Sequence, residues 1–158
     1  MEIKIERGQF SRCLGKIQGI VERKNTMPIL ANCVIKASKG SIEIQATDLD
    51  ITIKDKCPAE VKKTGKVSVN AKKLYEILRE LDEGEVIVKE VEPSKLEVKS
   101  SNFTYELQGI NPDEFPVLPT TEGFKFVEIE AEVLLEMVKK TISATALEEG
   151  RFTLNGIF

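Results

Sequence analysis

Histidine is absent from the whole chain. Its absence removes the usual general base of serine and cysteine hydrolases and the commonest proton shuttle near neutral pH. Cysteine is scarce: Cys13, Cys33 and Cys57 are odd in number, far apart in sequence and have no imidazole to join them. Zinc patterns and a disulfide framework are both unexpected on that basis. Cys13 falls on an apolar helical stripe and Cys33 within an apolar strand, which reads as small buried hydrophobes. No apolar run approaches the roughly eighteen residues that span a bilayer. The opening MEIKIERGQF lacks the basic and apolar regions of a signal peptide. A cytoplasmic location without a membrane is the expectation, and no motif calls for a cofactor.

What is present is an ordinary globular composition, 158 residues with 41% hydrophobic and 31% charged side chains. An enzyme built from it has to work with carboxylates or lysines. The candidate is ATDLDITI, in which Asp48 and Asp50 stand two apart and share one face if the segment is a strand, as divalent-metal ligands would. The same residues also suit a turn between strands that begins at Asp48, and no third ligand accompanies them. A carboxylate-dependent metal enzyme and a stand-alone protein-interaction module are the alternatives carried forward.

Periodicity divides the chain. Residues 2–7 alternate as a strand, residues 9–21 have helical spacing, and residues 27–38 read as a strand entered through a proline. Strands follow at 41–47, 50–56 and 66–69. Asn70 is a plausible N-cap for the helix AKKLYEILREL, which ends at an acidic turn over residues 82–84. Strands at 85–91, 95–100 and 103–107 complete this part. The segment GINPDEFPVLPTTEG then holds three prolines and two glycines in fifteen residues with no period, and reads as an interdomain linker over 109–124. A strand at 125–130, a helix near 132–142, and a final strand in RFTLNGIF follow.

An internal repeat joins these pieces. Three helical stripes recur at i, i+3, i+4 and i+7: Phe10, Cys13, Leu14, Ile17; Leu74, Ile77, Leu78, Leu81; and Leu134, Met137, Val138, Thr141. In each case a β-type residue, Ile5, Val69 or Ile129, precedes the first stripe residue by five. Residues 1–108 are therefore expected to be two copies of one strand, helix and strand unit. The fold class is α+β, a two-helix domain with antiparallel sheets on its outer side and Phe10, Leu14, Ile17, Leu74, Leu78 and Leu81 buried. Residues 125–158 begin a further copy that lacks its later strands. Leu134, Val138, Phe152 and Leu154 are accordingly expected to want a cover.

The residues NTMPILANCVI, ATDLDITI, NAKKLYEILREL, YELQGINPDEFPVLP and RFTLNGIF, in this order and at these intervals, closely resemble the bacterial DNA polymerase III beta subunits, the sliding clamps. The resemblance runs along the whole chain. It implies the DNA clamp fold, with three similar domains per protomer and two protomers closed head to tail around duplex DNA. On that scale the sequence holds the first domain, the linker and the first third or so of the second domain. It is expected to be a fragment unable to close a ring alone. The implied role is that of a non-catalytic processivity factor in DNA replication that tethers DNA polymerase III and is placed by a clamp loader.

Charge agrees with such a role. The net charge is -3, yet residues 9–24 carry Arg12, Lys16, Arg23 and Lys24 against the single acid Glu22. Arg12 and Lys16 are four apart and share a helix face, while Lys72 and Lys73 open the second helix. An ordinary solvated helix face would look the same. The resemblance makes Lys24, and Lys72 or Lys73, DNA-facing residues, and the charge pattern adds Arg12, Lys16 and Arg23 to that face. Glu148 departs from a polar contact position and would repel phosphate. The resemblance also makes residues 101–107 a dimer edge, with Phe103, Tyr105 and Leu107 at the interface, and places Arg151 and Leu154 on an incomplete cleft for partner peptides.

Overall fold

A computed structural model describes residues 1–21, 27–118, 123–146 and 152–157. The chain forms two units, Met1–Pro119 and Thr120–Phe158.

In the first unit, strand β1 (Glu2–Glu6) runs into helix α1 (Arg7–Val21), and a 3-10 turn at Pro28–Ala31 leads to strands β2 (Asn32–Ser38), β3 (Ser41–Thr47) and β4 (Thr52–Pro58). Strands β5 (Glu60–Lys63) and β6 (Gly65–Asn70), helix α2 (Ala71–Glu80), and strands β7 (Glu85–Glu92), β8 (Lys95–Lys99) and β9 (Thr104–Gln108) follow. Two antiparallel sheets result, one ordered β5-β1-β7-β8-β9 and the other β4-β3-β2-β6.

The sheets are built by exchange between the two copies of the repeat. β1 leaves its own copy and pairs with β7, Ile5 opposite Val86 and Ile3 opposite Val88. β6 does the reverse and pairs with β2, Val69 opposite Cys33 and Val67 opposite Ile35. Repeat-equivalent residues thus occupy equivalent rungs. Each copy then continues as a three-strand meander. The apolar alternation that puts Ile3 and Ile5 on one side of β1, and Val86 and Val88 on one side of β7, turns all four into a single core.

The helices fill the space that these faces leave. Phe10, Leu14, Ile17, Leu74 and Leu78 are fully buried and Leu81 nearly so, as their 3.6-residue spacing requires. α1 and α2 pack side by side and run antiparallel, since Gly15 faces the Tyr75 ring while Gln18 Nε2 reaches the Ala71 carbonyl at 3.5 Å. Asn70 caps α2 through its side chain, which accepts from Lys73 N at 2.9 Å. Glu6 caps α1 in the same manner, accepting from Gly8 N at 2.8 Å and Gln9 N at 2.5 Å.

Several expectations need correction. Residues 28–31 form a 3-10 turn and not the start of a strand: Pro28 has no N–H to give a ladder, and its fixed φ suits the first position of a turn. β5 was not foreseen, because Val61 is the sole apolar side chain of EVKK and the strand lies at a sheet edge. The linker reading gives way at its start. Gly109 donates to Ser94 O at 2.6 Å, Ile110 bridges to Ser68, and Phe115 is buried with Ile29, Leu30 and Val34 in a second apolar cluster. That cluster covers the outer face of β2, which explains why β2 is buried on both faces over its first four residues. A Cβ on Gly109 would lie 2.0 Å from Ser68 O, so glycine alone permits this crossing.

The second unit contains helix α3 (Ala131–Thr141) and 3-10 turns at Ile142–Ala144 and Phe152–Leu154. Residues 125–130 and 152–157, read as strands from their alternation, are not strands here. A strand exists only through its ladder, and no partner strand lies among the described residues of this unit. Leu134, Met137 and Leu154 are exposed, and Val138 is half-buried.

Candidate nucleic-acid interface

Basic charge collects on the two helices of the first unit. α1 contains no acidic residue and three basic ones, Arg7, Arg12 and Lys16. α2 adds Lys72, Lys73 and Arg79 against Glu76 and Glu80. Two adjacent helices thus hold six basic and two acidic residues in a chain whose net charge is -3. The stripe positions of both helices are consumed by the core, which leaves Arg12, Lys16, Lys72 and Lys73 exposed.

The four cations are not equivalent. Lys16 Nζ lies 2.8 Å from Asp55 Oδ2 on β4. This pair holds the lysine above its usual range, first through the hydrogen bond to Asp55, and holds the Asp55 carboxylate below its own, first through the same bond. Lys16 is therefore tied to the sheet, with the Asp55 carboxylate offsetting part of its field. Arg12, Lys72 and Lys73 make no ion pair among the described residues. Lys72 and Lys73 line a shallow concavity with Asn70, Glu76, Ala31 and Val21, at the point where α1 ends beside the start of α2. Arg12 and Lys16 line another with Lys56. Sequence reasoning missed Asp55 and Lys56, which join the helix face only because β4 packs against α1. Arg23, Lys24, Glu148 and Arg151 lie outside the described residues.

The residues expected at an edge divide in a similar way. β9 is the last strand of its sheet, with no neighbouring strand on its outer side among the described residues, so part of its backbone polar groups have no ladder partner there. Phe103 is half exposed and its ring centroid lies 6.4 Å from that of Tyr105, which is half-buried. Leu107 turns its side chain into the core at 7% exposure, so at this edge it offers backbone and little side chain.

In ATDLDITI the Asp48 carboxylate has a local task. Asp48 Oδ1 accepts from Asp50 N at 3.1 Å and Ile51 N at 2.7 Å, and closes the β3–β4 turn in which Leu49 takes a positive φ of 82°. Asp50 is exposed.

Two swapped strand-helix-meander copies, with a cation-bearing pair of helices on two antiparallel sheets, define a domain of the DNA clamp class. The model of the DNA polymerase III beta subunit, N-terminal domain, matches residues 1–119, and the chain belongs to this family. It is 31% identical over 160 residues to the beta sliding clamp of Caulobacter vibrioides, covering all of this chain and 43% of that protein. Among solved structures it is similar to the Caulobacter crescentus pol III beta, with a TM-score of 0.91 at 33% identity over 99% of this chain and 42% of that one. A sliding clamp from Bartonella birtlesii bound to griselimycin gives 0.90 at 36% identity, with the same coverage of 99% and 42%. The chain thus spans less than half the length of these relatives. No described helix is long and apolar enough to cross a membrane.

Proposed function

We propose that this chain is the DNA-facing first portion of a sliding clamp, a cytoplasmic and non-catalytic processivity factor that encircles duplex DNA and tethers DNA polymerase III during replication. The segregation of charge carries the reading: a helix pair with six basic and two acidic residues within an otherwise acidic chain. Phosphate contacts from lysine and arginine are indifferent to sequence and weaken as salt rises. They guide the duplex without fixing it. Retention comes from closure of the ring.

Arg12, Lys72 and Lys73 supply the contacts in this reading, with Lys16 moderated by Asp55, and with Arg23 and Lys24 continuing the basic run in sequence. The outer side of β9 is the edge that joins a second protomer, Phe103 and Tyr105 flanking the joint. The division into domains of 1–108 and 125–158 belongs to the same proposal, and residues 109–118 of the expected linker at 109–124 pack on the first unit. Leu154 and Arg151 belong to a cleft for polymerase and clamp-loader peptides that needs the remaining domains.

A salt titration tests the charge argument. In a ring that carries this sequence together with the family's remaining domains, Arg12→Glu, Lys72→Glu and Lys73→Glu combined should make the slope of log affinity against log salt shallower by about 2–3. Affinity should fall most at low salt, where screening is weakest. An unchanged slope and affinity would move the DNA side elsewhere.

A further inference from the structure

The three cysteines are dispersed in sequence, but two of them meet in the fold. Residues three apart on α1 share a face, as do residues two apart on β4. Lys16 and Asp55 join the two elements at 2.8 Å, and the same register places Cys13 opposite Cys57. Both thiols belong to one core cluster and line one concavity with Arg12, Lys16 and Lys56. Cys13 is 6% and Cys57 3% exposed, and both are free thiols. Cys33 is fully buried on β2 and lies outside that concavity.

We propose that Cys13 and Cys57 are a dithiol that closes to a disulfide between α1 and β4 when a two-electron thiol oxidant, such as hydrogen peroxide, reaches them. One sulfur attacks a peroxide oxygen, giving a sulfenic acid and one water. The second thiol displaces the hydroxyl, which leaves with the remaining thiol proton as a second water. The two thiols lose two protons and two electrons, and the peroxide takes up both to give two waters. Burial keeps both thiols protonated, so the reaction runs more slowly than at an exposed cysteine. The bond would fix α1, the helix that carries Arg12 and Lys16, to the edge strand of its sheet. This inference holds whether or not that helix meets DNA.

The test uses the native 158-residue chain, oxidised with hydrogen peroxide or diamide, alkylated and digested with trypsin. A linked pair of residues 13–16 and 57–62 is expected, about 2 Da below the sum of its reduced halves. Because bridging needs close sulfurs, it should exceed any pairing with Cys33 by about tenfold. Cys33→Ser should leave the link intact, and Cys13→Ser or Cys57→Ser should abolish it. Oxidised protein should melt above reduced protein, as a cross-link that fits the native state restricts the unfolded chain. Links to Cys33 in comparable amount, sulfinic acids without a link, or a lower melting temperature on oxidation would each overturn the proposal.

Discussion

Asn70 and Glu6 do similar work at the starts of α2 and α1, though only Asn70 announces itself in the sequence. An asparagine before AKKLYEILREL is a recognisable cap; a glutamate at the end of an alternating strand is not, because its longer side chain must fold back onto Gly8 and Gln9. Asn70→Ala leaves Lys73 N without its acceptor and should cost about 0.5–2 kcal/mol in urea denaturation. The Gly8 amide first, then that of Gln9, holds Glu6 below the usual glutamate range. A depressed carboxylate adds stability above its unfolded-state pKa and loses it as pH falls through the lower native value. Glu6→Gln should therefore flatten the acid limb of the stability curve within that window, with NMR titration of the Glu6 carboxyl locating its lower end. The cations of the candidate site were equally legible, as was their charge excess. Which of them is already partnered was not, since Asp55 reaches Lys16 only through the packing of β4 on α1.

At the level of elements, period alone located both described helices and seven of the nine described strands of the first unit closely. The start of β2 and the whole of β5 escaped it. Pro28 and Met27 preserve an apolar pattern while the backbone turns, and EVKK has too few apolar residues to have a period. The second unit shows the opposite failure, in which alternation at 125–130 promised a strand that no partner makes real. Burial separates the two units by experiment. Leu14→Ala removes a fully buried side chain and should cost the first unit about 2–5 kcal/mol. Leu134→Ala occupies the matching stripe position on α3 but is 46% exposed, and should shift the same unfolding curve by less than about 0.5 kcal/mol. Equal effects would contradict the burial described for α3.

For the molecule as a whole, the exchange of first strands means that neither copy of the repeat completes a sheet from its own residues. Residues 1–119 should therefore unfold in one transition, which fits their match to a single family model. The proposed clamping depends on a closed ring, and this polypeptide spans 43% of the length of its Caulobacter relative. Tested by itself with a clamp loader, the 158-residue chain should dissociate from nicked circular DNA as fast as from the same DNA made linear. Retention lost on linearisation would mean that these residues suffice to encircle a duplex.

The pairing of β1 with β7 also sets a schedule on the ribosome. Ile3 and Val88 face each other across the sheet, yet at roughly 5–20 residues per second the second is added about 4–17 s after the first. Through most of that interval the nascent chain holds Ile3 and Ile5 with no sheet to enter. β5, paired to β1 through Val61 and Ile3, emerges earlier. A weak, mostly polar strand at that edge gives β1 its first neighbour while the rest of its sheet is still being translated.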